Sequence, residues 1–275
     1  MAGVRRQPLG VFDSGVGGLT VLRAINMRLP REGTVYLGDT ARVPYGSRSP
    51  RVVCRYAVNN ARFLRERSDV KLLVVACNTA SAVALPALAE AIDVPILGVV
   101  DPGARLASQT TRSGKVAVIG TRATIESGAY QRSLAAIDPS IEIIARPCPL
   151  LVPLAEEGWI DGSIAKAIVE RYLGDLRDYG VDTVVLGCTH YPLLKAVIGR
   201  VLGDDIALVD SAEAVAEATA RLLSDEGMED CASEYEDCPP ERQIFVTDVP
   251  HAFGKLAARF LGDSPQPPVQ VDIPT

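Results

Sequence analysis

Apolar runs of strand length alternate with longer amphipathic stretches along most of this chain, and this alternation constrains its fold most strongly. The runs are rich in Val, Ile and Leu and lack strict polar alternation, as is typical of strands buried on both faces. Strands that alternate with helices predict an α/β fold with a mainly parallel sheet. The predicted strands are Leu9–Asp13, Thr34–Leu37, Lys71–Ala76, Pro95–Val99, Lys115–Ile119, Ile141–Ala145, Thr183–Leu186, Ile206–Val209 and Gln243–Val246.

The longer stretches carry apolar residues at helical spacing and predict helices between the strands. Two segments interrupt the alternation. Residues 225–242 are acidic and contain two prolines, which predicts a surface loop, and the proline-rich tail after residue 262 predicts irregular structure. The predicted helices are Leu19–Arg28, Pro50–Arg67, Ala80–Ala91, Thr124–Ala136, Gly162–Tyr179, Pro192–Val201, Ala212–Leu223 and His251–Leu261.

The pattern starts again near residue 115, which indicates two units of similar architecture. The segment KVAVIGT at residue 115 is similar to LGVFDSG at residue 9, and VVLGCTH at residue 184 is similar to VVACNTA at residue 74. We expect two α/β domains related by a pseudo-twofold axis, with the active site in the cleft between them. Residues 1–99 and 208–275 are predicted to form the first, discontinuous domain, and residues 100–207 the second.

Composition argues against several classes of function. The net charge of −6 disfavours a general nucleic-acid binder, because such proteins usually carry a basic face. No run reaches the roughly 18 apolar residues of a membrane span, and the N-terminus lacks the apolar core of a signal peptide. We therefore expect a cytoplasmic protein without a membrane partner. None of the six cysteines forms a CxxC pair, which disfavours a zinc knuckle or a dithiol redox site.

Cys77 directly follows a predicted buried strand, in the segment LVVACNTAS. Ligands of open α/β sheets sit at the carboxyl ends of strands, so this thiol is expected in a site. The start of the following helix favours a thiolate over a thiol, and Asn78 and Thr79 are candidates to cap that helix. A small apolar residue at the end of a strand fits the same pattern without any function.

Cys188 occupies an equivalent frame in VVLGCTHYP, where Thr189 and His190 follow it. A histidine two positions from such a cysteine can stabilise its thiolate or carry its proton, although a lone histidine is more often structural. Enzymes with one nucleophile need one cysteine and one histidine. Two equivalent cysteines suit a symmetric reaction, in which one takes a proton from one face of a carbon and the other delivers a proton to the opposite face.

A glycine-rich segment, GVFDSGVGG, follows the first predicted strand. It does not match a dinucleotide-binding fingerprint, because the third glycine of that spacing is missing. The carboxylate of Asp13 would also repel a phosphate group. We instead expect Asp13 and Ser14 to face an ammonium group or to orient Cys77.

Two further segments offer polar groups to a ligand. In GDTARVPYG, the hydroxyl of Tyr45 and the backbone amide of Gly46 are candidates to bind a carboxylate, although a packed tyrosine in a turn fits the same segment. Glu156 closes an apolar run. It lies either at the surface or in the cleft, where it would be a partner of His190.

Five motifs in this order make the chain resemble glutamate racemases, of the aspartate/glutamate racemase superfamily, over nearly its whole length. The resemblance implies interconversion of L- and D-glutamate without pyridoxal phosphate or a metal, with D-glutamate passing to peptidoglycan synthesis. It allows a homodimer. One departure is Asp101, where many relatives carry glutamate, and this affects the expected domain junction rather than the chemistry. The motifs are GVFDSGVGGLTV near residue 10, GDTARVPYG at 38, ACNTAS at 76, GTRATI at 120 and LGCTHYPLL at 186.

The same resemblance implies a role for individual residues. Cys77 and Cys188 would be the two acid–base thiols. Asp13 would support the first of them, and His190 with Glu156 would support the second. The implied substrate-binding positions are Asp13, Ser14, Tyr45, Gly46, Asn78, Thr79, Thr121, Thr189 and His190.

Three other functions are compatible with the sequence. An aspartate racemase acts on a side chain one methylene shorter, and a pocket discriminates such a difference by only about 1–3 kcal/mol. A two-domain amino-acid binding module would bind glutamate without catalysis, but it has no need of two matched cysteines. A role on a protein partner, such as inhibition of a DNA enzyme, has no motif of its own in this chain.

Overall fold

Ten strands form the framework of the protein in the computed structural model, which describes residues 6–230, 240–249, 253–262 and 267–274. The strands are β1 (Leu9–Asp13), β2 (Thr34–Gly38), β3 (Leu72–Val75), β4 (Ile96–Gly98), β5 (Lys115–Gly120), β6 (Glu142–Pro147), β7 (Thr183–Gly187), β8 (Ala207–Asp210), β9 (Arg242–Val246) and β10 (Val269–Gln270). Five of them, β1, β2, β3, β5 and β7, are apolar runs whose residues are almost all buried, as strands covered on both faces must be.

The strands form two separate sheets. The first has six strands in the order β10-β9-β2-β1-β3-β4, and the second has four in the order β6-β5-β7-β8. Every strand pair within the described ranges is parallel. The α/β fold with two mainly parallel sheets is therefore confirmed. Because all strands of a sheet run the same way, their carboxyl ends meet at one edge.

Helices connect the strands and cover the sheets. The chain also makes single 3-10 turns at Tyr45–Ser47, Leu176–Tyr179 and Tyr191–Leu194. The helices are α1 (Leu19–Arg28), α2 (Pro50–Ser68), α3 (Asn78–Val83), α4 (Leu85–Ala91), α5 (Val100–Thr110), α6 (Arg122–Glu126), α7 (Ala129–Ile137), α8 (Leu151–Glu157), α9 (Gly162–Leu173), α10 (Lys195–Leu202), α11 (Ser211–Asp225) and α12 (Phe253–Leu261). Within the described ranges, none of these helices has the length and apolar character needed to cross a bilayer.

Each sheet is sandwiched between two apolar clusters. On the first sheet, Val11 and Val74 belong to one cluster and Val35 and Val75 to another, because neighbouring residues of a strand point to opposite faces. The second sheet is covered in the same way on its two faces. Burial of one such side chain contributes about 1.5–3 kcal/mol. The two sheets are thus held rigidly enough to position the residues at their edges.

Nine of the strands were predicted, with ends that differ by one or two residues. The tail was expected to be irregular, but residues 269–270 pair with β9 as β10. The predicted loop at 225–242 ends in strand β9, and its residues 231–239 lie outside the described ranges. The helix predicted over 80–91 is divided at Ala84, where α3 ends and α4 begins with proline in its first turn.

Two helices were not predicted. Helix α5 begins with the sequence VDPG, which reads as a turn, yet its proline lies in the first turn of the helix, where a missing N–H costs nothing. Helix α8 is short and contains Pro153 near its start. Strand β8 pairs with β7, so residues 208–210 belong to the second sheet rather than to the first unit as predicted. The remaining limits of the two domains stay a prediction.

Candidate active site

A cleft lies at the carboxyl ends of β1, β3, β5 and β7, where the two sheets face each other. Its empty volume, which includes the open mouth, is about 340 Å³. Both predicted thiols line it, together with every predicted substrate-binding residue except Asp13. The lining residues are Ser14, Val43, Pro44, Tyr45, Gly46, Cys77, Asn78, Thr79, Thr121, Val152, Cys188, Thr189 and His190.

Cys77 stands between β3 and α3 and is the N-cap residue of that helix. Its side chain is buried, and the sulfur lies 3.6 Å from the hydroxyl of Ser14. Burial, with the nearby charges of Asp13 and Cys188, raises the pKa of the Cys77 thiol to about 12. Hydrogen bonds from Ala80 and Ser14 oppose this rise but do not cancel it. Near neutral pH Cys77 is therefore a protonated thiol, ready to act as an acid.

Asp13 lies beneath the cleft at the end of β1 and is completely buried. Its carboxylate accepts the backbone N–H of Gly15 at 3.0 Å and faces the hydroxyl of Thr189 at 3.5 Å. Burial raises the pKa of Asp13, whereas the charge of His190 and the surrounding backbone N–H groups lower it. Asp13 does not line the cleft, and its charge is one of the causes that raise the pKa of Cys77. Its contact with a substrate stays a prediction.

Cys188 is the first member of a chain of three side chains. Its sulfur lies 3.9 Å from Nδ1 of His190, and Nε2 of the same ring lies 3.0 Å from a carboxylate oxygen of Glu156. Burial lowers the pKa of His190, but the contacts with Cys188 and Glu156 outweigh it and raise that pKa to about 10. A protonated imidazole therefore faces Cys188 near neutral pH and stabilises negative charge on its sulfur.

The ring of His190 is also fixed by an aromatic contact. Phe260 of α12 packs edge-on against it, with ring centroids 5.3 Å apart and planes at 79°. Arg259 of the same helix donates to the backbone carbonyl of Glu156 at 2.8 Å. The C-terminal helix thus holds both ends of the His190–Glu156 pair in place.

Three threonine hydroxyls from the two units meet beside the thiols. Thr79 lies 2.9 Å from Thr121 and 3.1 Å from Thr124, and the last two lie 2.9 Å apart. Thr121 also caps helix α6 by accepting the backbone N–H of Thr124. Each hydroxyl rotates freely enough to turn a donor or an acceptor toward a bound molecule.

The hydroxyl of Tyr45 has partners within the protein. It donates to the buried carboxylate of Asp39 and accepts from the Asn60 side chain at 3.1 Å. Tyr45 also lines the cleft, and its contact with a ligand stays a prediction. Gly46 comes so close to Thr121 that a Cβ atom would lie 2.6 Å from the Cβ of that threonine.

Three lining residues were not singled out from the sequence. Val43 and Pro44 precede the predicted Tyr45, and Val152 belongs to the unpredicted helix α8. Val43 and Pro44 could have been found from their position inside the motif GDTARVPYG. For Val152 the sequence offers no signal beyond an apolar run. Within the described ranges, no group of three or more His, Cys, Asp or Glu side chains is arranged to hold a metal ion.

Comparison with known proteins places this geometry in a family. Residues 9–219 match the family model described as Asp/Glu/hydantoin racemase. A curated glutamate racemase of Geobacter metallireducens is 54% identical over 254 residues, which is 92% of each chain.

Two solved structures extend this similarity to the fold. The glutamate racemase of Francisella tularensis, in complex with D-glutamate, has a TM-score of 0.90 at 34% identity and covers 98% of each chain. The glutamate racemase of Thermus thermophilus, in complex with β-chloro-D-alanine, has a TM-score of 0.85 at 47% identity and covers 97% of each chain.

Proposed function

Since this chain belongs to the Asp/Glu/hydantoin racemase family, we propose that it interconverts L- and D-glutamate by moving the α-proton between two thiols. It is an amino-acid racemase, and so an isomerase. One observation carries the two-thiol proposal. Cys77 and Cys188 line the same cleft, each with its own hydrogen-bonding partner.

The proposed cycle starts with the two thiols in opposite protonation states. Cys77 carries a proton, because its pKa is about 12. The cycle assigns the thiolate to Cys188, which faces the protonated His190. In one direction the Cys188 thiolate removes the α-proton, and the Cys77 thiol delivers its own proton to the opposite face of the carbon. The two residues then hold the reverse protonation states, which is what the opposite enantiomer requires.

A thiolate is a much weaker base than the carbanion it must create, so the cleft has to stabilise the charge that develops on the substrate carboxylate. Asn78 and the hydroxyls of Thr79 and Thr121 are the neutral donors of the lining. Val43 and Val152 form apolar walls that exclude water and strengthen these interactions. The proposed reaction is redox-neutral and each proton has a stated donor, and the scheme uses no cofactor.

The role in the cell follows from the product. We propose that the enzyme supplies D-glutamate for peptidoglycan synthesis in the cytoplasm, as a single chain or as a homodimer. The relatives at 44–54% identity are glutamate racemases, which supports glutamate over aspartate as the substrate. A non-catalytic amino-acid binding module would have no need of two thiols in one cleft.

The experiment is to incubate the purified protein with L-glutamate in D₂O without added cofactor. We expect D-glutamate that carries deuterium at the α-carbon. Cys77→Ser and Cys188→Ser should each lower kcat by at least ~100-fold, the usual size of a lost general acid or base. Cys54→Ser is the matched control, because Cys54 contacts the carbonyl of Val83 and does not line the cleft.

Two outcomes would contradict the proposal. Wild-type rates of racemisation in Cys77→Ser or in Cys188→Ser would contradict the two-thiol scheme. Faster racemisation of L-aspartate than of L-glutamate, measured in parallel, would show that the substrate is the shorter amino acid.

A further inference from the structure

Tyr130 is a buried tyrosine of helix α7 and does not itself line the cleft. It donates to Oδ1 of Asn78 at 2.7 Å. Asn78 belongs to helix α3 of the first unit, and Tyr130 belongs to the second unit. This hydrogen bond therefore reaches across the junction to a residue that lines the cleft.

The amide of Asn78 is only half satisfied by the protein. Its Oδ1 has the Tyr130 hydroxyl, but its Nδ2 is buried and has no hydrogen-bonding partner among the described residues. A buried donor without a partner costs roughly 1–3 kcal/mol. Because Asn78 lines the cleft, a bound molecule with an acceptor oxygen is the natural partner of this N–H group.

We propose that Tyr130 is a positioning residue, which holds the Asn78 amide so that Nδ2 donates to a carboxylate of the substrate. The inference rests on the proposed function, since it assigns the group that binds an amino-acid carboxylate. With the amide reversed, Oδ1 would replace Nδ2 and repel that carboxylate. The orientation of one amide therefore decides between attraction and repulsion.

The surroundings of Tyr130 keep its hydroxyl a donor to Asn78. Burial raises the pKa of Tyr130 far above neutral, so the hydroxyl keeps its proton. The side chain of Ser211 supplies a hydrogen bond to the same oxygen, which leaves the phenolic proton for Oδ1 of Asn78. Gly103 allows this packing, since a Cβ atom there would lie 3.3 Å from the hydroxyl.

The test is a double-mutant cycle on steady-state kinetics with L- and D-glutamate. We expect Tyr130→Phe to raise KM about tenfold, the loss of roughly one net hydrogen bond, while kcat changes less. In an Asn78→Ala background the same substitution should leave KM unchanged, because Tyr130 acts through Asn78. Tyr172→Phe is the matched control, because its hydroxyl accepts the backbone N–H of Leu150 at 3.4 Å and Tyr172 does not line the cleft.

If Tyr130 has only a structural role, Tyr130→Phe should lower stability and raise KM equally in the wild-type and Asn78→Ala backgrounds. That result would overturn the inference. If Tyr130→Phe does not fold, the KM values of Asn78→Asp and Asn78→Ala test the inference instead. Aspartate still accepts from Tyr130 but puts an oxygen in place of Nδ2, so its KM should exceed that of the alanine variant by about tenfold or more. Equal KM values would overturn the inference.

These outcomes separate the inference from the proposed function. Wild-type activity on glutamate with an unchanged KM in Tyr130→Phe would contradict the role of Tyr130 alone. A wild-type protein that leaves glutamate unchanged would overturn the proposed function and this inference with it.

Discussion

The sulfur of Cys188 lies 3.9 Å from the imidazole of His190, a group whose pKa is raised to about 10. The matching contact of Cys77 is the neutral hydroxyl of Ser14, at 3.6 Å, above the buried carboxylate of Asp13. In the proposed mechanism the two thiols perform equivalent steps, but within the described ranges only Cys188 of the two has an imidazole beside its sulfur.

The support for Cys188 should be visible in kinetics. Removing the imidazole with His190→Asn should lower kcat by about 100-fold or more, because Cys188 loses its charged partner. Glu156→Gln should lower kcat less, by about three- to tenfold, since the imidazole keeps a neutral hydrogen-bonding partner. The neighbouring Glu157→Gln is the control, because Glu157 is exposed. Equal kcat values for the Glu156 and Glu157 variants would contradict this role.

The thiols should also differ in reactivity. At pH 7, iodoacetamide should modify Cys188 before Cys77, because only a thiolate reacts and the pKa of Cys77 is about 12. Burial also raises the pKa of Cys148 to about 12, so this cysteine is the internal standard for an inert thiol. Peptide mass mapping at timed intervals measures the order. If Cys77 is modified first, the thiolate is on Cys77 and not on Cys188.

The pKa of His190 predicts how stability depends on pH. The imidazole of an unfolded chain titrates near pH 6.5, and that of His190 near pH 10. Between these values the folded protein holds a proton that the unfolded chain has lost, so the free energy of unfolding falls as pH rises. The stabilisation is complete below about pH 6.5 and is lost above about pH 10.

The measurement is the Tm of the wild type minus that of His190→Gln, taken across this pH range. The difference should shrink toward high pH, since the variant has no group that titrates at this position. Subtracting the variant cancels the titration of residues that do not interact with His190. A difference that stays constant from pH 6 to 10 would show that His190 is neutral in the folded protein.

Much of the site was predictable because parallel strands bring their carboxyl ends to one edge. The rule placed Cys77 and Cys188 together although they are far apart in sequence, whereas Thr121 was named only through the family resemblance. Each follows a run of buried aliphatic residues, which is a strong local signal.

The remaining features depend on tertiary contacts that no local pattern reveals. Tyr130 lies in the first turn of an ordinary amphipathic helix, and only the fold brings its hydroxyl to Asn78. The contact of the Tyr45 hydroxyl with the buried carboxylate of Asp39 could not be foreseen either. Helix α5 was missed because Pro102 and Gly103 resemble a turn when their neighbours are unknown.

The approach of the two units leaves no room for a side chain at Gly17. A Cβ atom there would lie 2.3 Å from the hydroxyl of Thr189 and 2.5 Å from Nδ1 of His190. Gly17→Ala must therefore push the segment that carries Cys188 away from the segment that carries Asp13. Since misplacement of catalytic groups by about 1 Å can cost ~100-fold in rate, we expect kcat/KM to fall by about that factor.

Gly199→Ala is the matched control for this substitution. A Cβ atom at Gly199 would meet its nearest neighbour, Leu208, at an ordinary 3.9 Å, and alanine is favoured over glycine within helix α10 by up to about 1 kcal/mol. We expect unchanged kcat/KM and equal or higher Tm for Gly199→Ala. Gly17→Ala should lose activity while it remains folded by circular dichroism. Wild-type kcat/KM in Gly17→Ala would show that the cleft does not require this close contact.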